Sequence, residues 1–196
     1  TDNKAKFNGG AIRWNGANGS LYNSNFKNNV AVSYMGGAIS WTGANGTLTT
    51  SNFTGNIAKN NGGGVSLTGA NSILANSTFT NNVGQNGGAV YWNSVNGTLS
   101  KSNFVGNNAT RGGAVYWEGT GGNLIESIFT GNNAKNIGGV YWGGANGTLI
   151  NSTFTSNTAT QNGGGLHWAS FAANGNIMGS TFTSNTGGIN GGGLSW

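Results

Sequence analysis

The sequence predicts an all-β fold, a right-handed parallel β-helix (a solenoid) of about seven coils. Three observations predict it. A repeat of 25 to 28 residues runs the length of the chain, each repeat holds three short apolar points, and Gly- and Asn-rich turns separate them. A unit of that length cannot bury its own apolar side, whereas stacked identical units place like on like.

The repeat is clearest at the tryptophans. Gly88-Ala89-Val90-Tyr91-Trp92 returns as Gly113-Ala114-Val115-Tyr116-Trp117 and, with Gly for Ala, as Gly138-Gly139-Val140-Tyr141-Trp142. The marker position runs Trp14, Trp41, Leu67, Trp92, Trp117, Trp142, Trp168, Trp196, and the aliphatic residue two before it runs Ile12, Ile39, Val65, Val90, Val115, Val140, Leu166, Leu194. A second marker is Phe26, Phe53, Phe79, Phe104, Phe129, Phe154 and Phe182. A Leu or Ile stands five before each, a Ser two before, and an Asn three after. No segment is long enough for a helix, so each coil is expected to carry three short strands. Leucine-rich repeats would need a Leu-x-x-Leu-x-Leu pattern, and propeller blades a longer unit. Residues 1–196 form a single repeat domain, and its register starts and ends in mid-coil. Seven coils at the strand spacing make a rod on the order of 35 Å long.

Composition bounds the function classes. With 39 Gly, no Pro, no Cys and 6% charged residues the chain is no ordinary globular domain, yet seven Trp, nine Phe and five Tyr bring enough apolar area to drive a core. The net charge of +5 comes from basic residues scattered along the sequence, which argues against nucleic acid as a partner. No apolar run approaches the roughly 20 residues of a membrane span, so direct membrane insertion is not expected.

The Phe-x-x-Asn column, Asn29, Asn56, Asn82, Asn107, Asn132, Asn157 and Asn185, reads as a structural ladder in which each amide bonds its neighbours above and below. Gly pairs such as Gly36-Gly37 and Gly112-Gly113 read as corners that a Cβ would forbid. Parity along the strand points the Trp column inward, and a turn at that position would instead expose it as an apolar stripe.

The pairing of Gly36-Gly37-Ala38-Ile39 with Phe53 to Asn56, and of Gly87-Gly88-Ala89-Val90 with Phe104 to Asn107, resembles the repeats of chlamydial polymorphic outer-membrane proteins. The fuller unit, Gly-Gly-Ala-Val-Tyr-Trp with Asn-Gly-Thr-Leu and Asn-Ser-Thr-Phe-Thr, resembles the adhesin-like surface proteins of methanogenic archaea. These resemblances imply a β-helical stalk at the cell surface or outside the cell, with a role in attachment or surface assembly. They carry no catalytic residues.

The residues themselves point away from an enzyme. Glycoside hydrolysis ordinarily needs two facing carboxylates, and beyond Asp2 the chain has only Glu118 and Glu126, both read as exposed turn or strand residues. His167 has no Ser or Cys partner at a recognisable spacing, one Asp cannot build an Asp-rich calcium site, and no cofactor is expected. Binding surfaces are the alternative. Tyr91, Tyr116, Tyr141 and His167 recur at one position that parity turns outward, a possible glycan-contact strip whose competing role is sheet stabilisation. Among eight sequons, no more than this composition yields by chance, Asn18, Asn45, Asn96 and Asn146 recur in one turn and are the possible N-glycosylation sites. Paired threonines around Phe79, Phe154 and Phe182 resemble the ice-binding faces of some antifreeze proteins, an alternative interrupted by Lys27, Val105 and Ile128. Self-association is expected through the coil ends, by head-to-tail stacking into a filament.

Overall fold

A computed structural model describes residues 1–196 and shows a parallel β-helix without helices. Every strand pair is parallel and joins neighbouring coils. The coil has four sides rather than three. Sheet B holds the Trp strands (such as Val115–Trp117), sheet C the Leu strands (Asn123–Ile125) and sheet D the Phe strands (Ile128–Thr130). A further short strand, Asn133–Ile137 in that coil, follows the Asn column and belongs to sheet A. Sheet A is ordered as strands in the first three and the last four coils, joined between them by single bridges at Val83.

Four sides need four corners, and each corner is one residue in the left-handed region. Between A and B the corner is Gly in every coil, for example Gly87 (φ 70°) and Gly112 (φ 60°). A Cβ on Gly112 would fall well inside contact distance of the Val115 carbonyl oxygen, so backbone and space together require Gly. Between B and C the corner is Asn18, Asn45, Asn71, Asn96, Gly121, Asn146 and Asn174, all at positive φ. Asn tolerates that conformation better than other L-residues with a side chain. The Gly that follows Asn there is needed for room, because a Cβ on Gly175, after Asn174, would stand 2.5 Å from the Trp168 ring. The Asn and Gly content therefore follows from corner geometry repeated in every coil.

The C-to-D corner is less well served. Thr50 (φ 54°), Lys101 (φ 48°) and Glu126 (φ 48°) occupy a position where other coils have Asn or Gly. A β-branched residue is strained there by about 1–2 kcal/mol. Thr50→Asn is expected to raise stability by about 1 kcal/mol, read as a higher midpoint in denaturant; an unchanged or lower midpoint would contradict the corner assignment.

The interior is layered by column. Val, Ile and Leu with Trp line sheet B, Leu lines C, Phe lines D, and small residues, chiefly Ala31, Ala58, Ala109, Ala134 and Ala159, line A. Trp41, Trp92, Trp117, Trp142 and Trp168 are buried, so the Trp column faces inward. The phenyl rings from Phe26 to Phe182 stack with centroids 4.6 to 4.9 Å apart, and Trp92, Trp117, Trp142 and Trp168 stack at 4.4 to 4.8 Å. Offset contact between like rings adds to the area they bury.

Two polar ladders run through this interior. Asn107 Nδ2 donates to Asn132 Oδ1 and to the Phe79 carbonyl, both at 3.0 Å, while its Oδ1 accepts from the backbone N–H and the Nδ2 of Asn82. The same bonds recur at Asn56, Asn82, Asn132 and Asn157, and in part at the end rungs Asn29 and Asn185. In the serine column, the N–H of Ser102 donates to Ser127 Oγ, whose hydroxyl donates to the Ile125 carbonyl. In these two columns the buried amides and hydroxyls are thus bonded by copies of themselves one coil away, whereas the buried Ser94 Oγ has no partner.

Candidate functional site

The outward position of sheet B holds Ser40, Ser66, Tyr91, Tyr116, Tyr141 and His167 in register from coil to coil. Tyr91, Tyr116 and Tyr141 are only 8%, 2% and 8% exposed, which corrects the expectation of an open strip. Parity sets direction, but neighbours set exposure. Each ring lies flat on the next, with centroids 5.8 Å apart for Tyr91 and Tyr116, 4.5 Å for Tyr116 and Tyr141, and 5.8 Å for Tyr141 and His167. Arg111, which precedes the strand, sets its guanidinium 5.0 Å from the Tyr116 ring centre and donates from Nε to Asn86 Oδ1 at 3.0 Å. Both ring faces of Tyr116 and Tyr141 are covered by neighbouring rings.

Glu118 is a clamp on this stack rather than a free turn residue. Its two oxygens accept separately, from the Tyr116 hydroxyl at 2.8 Å and from the Tyr91 hydroxyl at 3.2 Å. Burial, with the Glu118 charge and hydrogen bonds beside it, pushes the Tyr91 and Tyr116 phenols above their ordinary value, and burial with the Glu118 charge raises Tyr141. Burial lowers the His167 pKa, and its buried Nδ1 has no hydrogen-bond partner.

These shifts have a direction in pH. The raised phenols contribute stability below the unfolded value of 10.0, and that contribution is lost as pH climbs through the folded values. His167 works at the other end, resisting protonation as pH falls below 6.5. Glu118→Gln removes the charge and keeps the shape, so the tyrosine absorbance titration is expected to move to lower pH. An unmoved titration would show that Glu118 does not govern the stack.

The other residues singled out by the sequence sit on separate parts of the rod. Asn18, Asn45, Asn96 and Asn146 are exposed corner residues. They also form an outer amide ladder with Asn71 and Asn174, in which Asn45 Nδ2 donates to Asn18 Oδ1 at 2.9 Å and Asn174 Nδ2 to Asn146 Oδ1 at 3.0 Å. The outer rows of sheet D align Thr54, Thr80, Thr130, Thr155 and Thr183, with Val105 in the same row and Ile128 in the one beside it. Asp2 accepts from Asn28 Nδ2, and Glu126 pairs with Lys101 at 3.8 Å. The three carboxylates therefore lie apart, each beside a different partner.

Sheet A carries what sequence order hides. Lys4 pairs in register with Val30, and the Val32 and Lys59 N–H groups bond the Ala5 and Ala31 carbonyls, which sets Lys6, Val32 and Lys59 in one outward row. Lys135 lies further along the same face, beside a register shift between Ala109 and Arg111. There the surface sinks into a groove of about 460 Å³ bounded by Val83, Gly84, Asn108, Asn133, Lys135 and Thr160. The signal for this face was the lysines themselves, far apart in the chain and brought together only by the coil count.

Among known families, the Chlamydia polymorphic membrane protein repeat matches residues 151–167. That stretch is one repeat signature of the chain, running through Ser152 and Asn157 of the ladders, Phe154 of the ring column, the corner Gly163, and Leu166 of sheet B. No curated protein and no solved structure matches the chain. The matched repeat and the stacked coils fit a surface repeat protein.

Proposed function

We propose that the chain is part of an extracellular or cell-surface β-helix that acts in adhesion or surface assembly without catalysis. The observation that carries this reading is that a surface-protein repeat matches residues 151–167 and that the same ladder, ring and corner positions recur through the chain. The fold suits the task. A rod held by stacked columns is stiff along its axis and presents long regular faces, as solenoids do in recognition. The separation of the three carboxylates supports a non-catalytic role, since acid and base catalysis needs groups converging on one bond. Self-association by stacking belongs to the same reading, because a second copy would add one more strand to each sheet.

Attachment tests it. If cells that make the protein adhere through it, excess soluble chain is expected to block their attachment, and heat-unfolded chain is not. Attachment that the folded chain leaves unchanged would count against adhesion.

A further inference from the structure

Sheet A presents the face of the rod on which most of the lysines gather, four of them against the single carboxylate of Asp2 at its edge. Lys4, Lys6, Lys59 and Lys135 are all exposed there, while Glu118 and Glu126 lie on other sides of the rod and Asp2, bonded to Asn28, stands at the corner before Lys4. The Glu126–Lys101 pair is the chain's sole ion pair, so none of the sheet A lysines is ion-paired. Lys6 and Lys59 stand two coils apart and Lys135 three coils further, roughly 10 Å and 14 Å along the axis at the strand spacing.

The groove lies on this charged face and sets amides and hydroxyls beside the apolar Val83 and Ala109. Asn108, Asn133 and Thr158 follow one another in register, with Thr158 Oγ1 donating to Asn133 Oδ1 at 2.9 Å, and Thr160 Oγ1 donates to the Lys135 carbonyl. Amides and hydroxyls repeat once per coil, a step of about 4.8 Å, close to the length of one sugar unit in an extended polysaccharide. Sparse lysines with rows of hydrogen-bonding groups between them suit a chain that carries many hydroxyls and an occasional negative charge. A nucleic acid, with one charge per about 1.7 Å of duplex axis, would need denser cations, and the groove has no aromatic platform for single-stranded bases.

We propose that the outer face of sheet A binds an acidic polysaccharide laid along the rod axis. Its carboxylate or sulfate groups pair with Lys6, Lys59 and Lys135, and its hydroxyls lie in the groove against Asn108, Asn133 and Thr160. This rests on the surface reading only in placing such polymers within reach.

Electrophoresis of the full chain through gels containing polygalacturonate tests it, with dextran as the neutral comparison. The native chain is expected to be retarded by polygalacturonate and not by dextran. Replacing Lys6, Lys59 and Lys135 together by Ala should weaken retention about tenfold, taking a few-fold loss per exposed ion pair. The same three positions changed to Arg should keep retention, as should Lys101→Ala on another side of the rod, with unchanged circular dichroism throughout. Absence of retention, equal retention by the triple Ala variant, or equally tight binding of single-stranded DNA or anionic vesicles through the same lysines would overturn the assignment. Cell attachment is not measured here, so failure of this binding leaves the adhesion reading to its own test.

Discussion

Asn107→Ala is expected to destabilise the rod by about 3–6 kcal/mol, the sum of several buried polar groups left without partners. The Asn107 side chain bonds the Phe79 carbonyl and Asn132 Oδ1 as donor, and the Asn82 N–H and Nδ2 as acceptor. Alanine keeps the backbone and removes all four bonds at once. The Asn82 N–H then has no acceptor in a fully buried turn. An exposed rung of the outer ladder gives the contrast. Asn96→Gly, which copies Gly121 at the same corner, should cost under about 1 kcal/mol, because Asn96 is solvated and Gly suits its positive φ. Denaturant midpoints of the two variants check this. Equal losses would mean that ladder position, rather than burial, sets the cost.

Phe104→Ala carries the second large effect, about 3–5 kcal/mol from lost burial and the cavity left behind. Phe104 is fully buried between Phe79 and Phe129, whose ring centres lie 4.9 and 4.7 Å away. Coils above and below hold those rings at a fixed spacing, so the column has little freedom to close the gap. Thr130, outward in the next coil's strand, should cost under about 0.5 kcal/mol on the same change. Comparable losses at Phe104 and Thr130 would contradict the inward assignment of the Phe column.

The columns were legible in the sequence because stacking makes each coil copy the last. The Ile-x-Trp, Leu and Phe-x-x-Asn positions align without knowing a single angle. Sheet A was not legible. Its inward residues are Ala and Gly, its strands are as short as Val30–Ala31 and Thr158–Ala159, and its register shifts near Arg111. Such strands leave almost no hydrophobic signal. The exposure of the Tyr strip was not legible for a different reason. Alternation correctly placed Tyr116 on the outer side, but Arg111 and the stacked rings of Tyr91 and Tyr141 decide how much of it water reaches. Glu118 went unrecognised for the same reason, since its link to Tyr91 crosses from one coil to the next.

The corners explain the composition better than any functional argument. Left-handed corners repeated from coil to coil favour Asn and Gly, and the Trp rings select the Gly after Asn. With those positions committed to structure, the freedom to carry function lies in the outward rows, where the coils differ most from one another. Lys6, Lys59, Lys135, Asn108 and Asn133 all belong to such rows.

Surface display is the claim on which the functional account stands, and labelling of intact cells tests it most directly. Antibodies raised against the folded chain are expected to label unpermeabilised cells that make the protein, and brief protease treatment of those cells is expected to remove the label. Labelling that appears only after the cells are permeabilised, and that survives the protease, would contradict it.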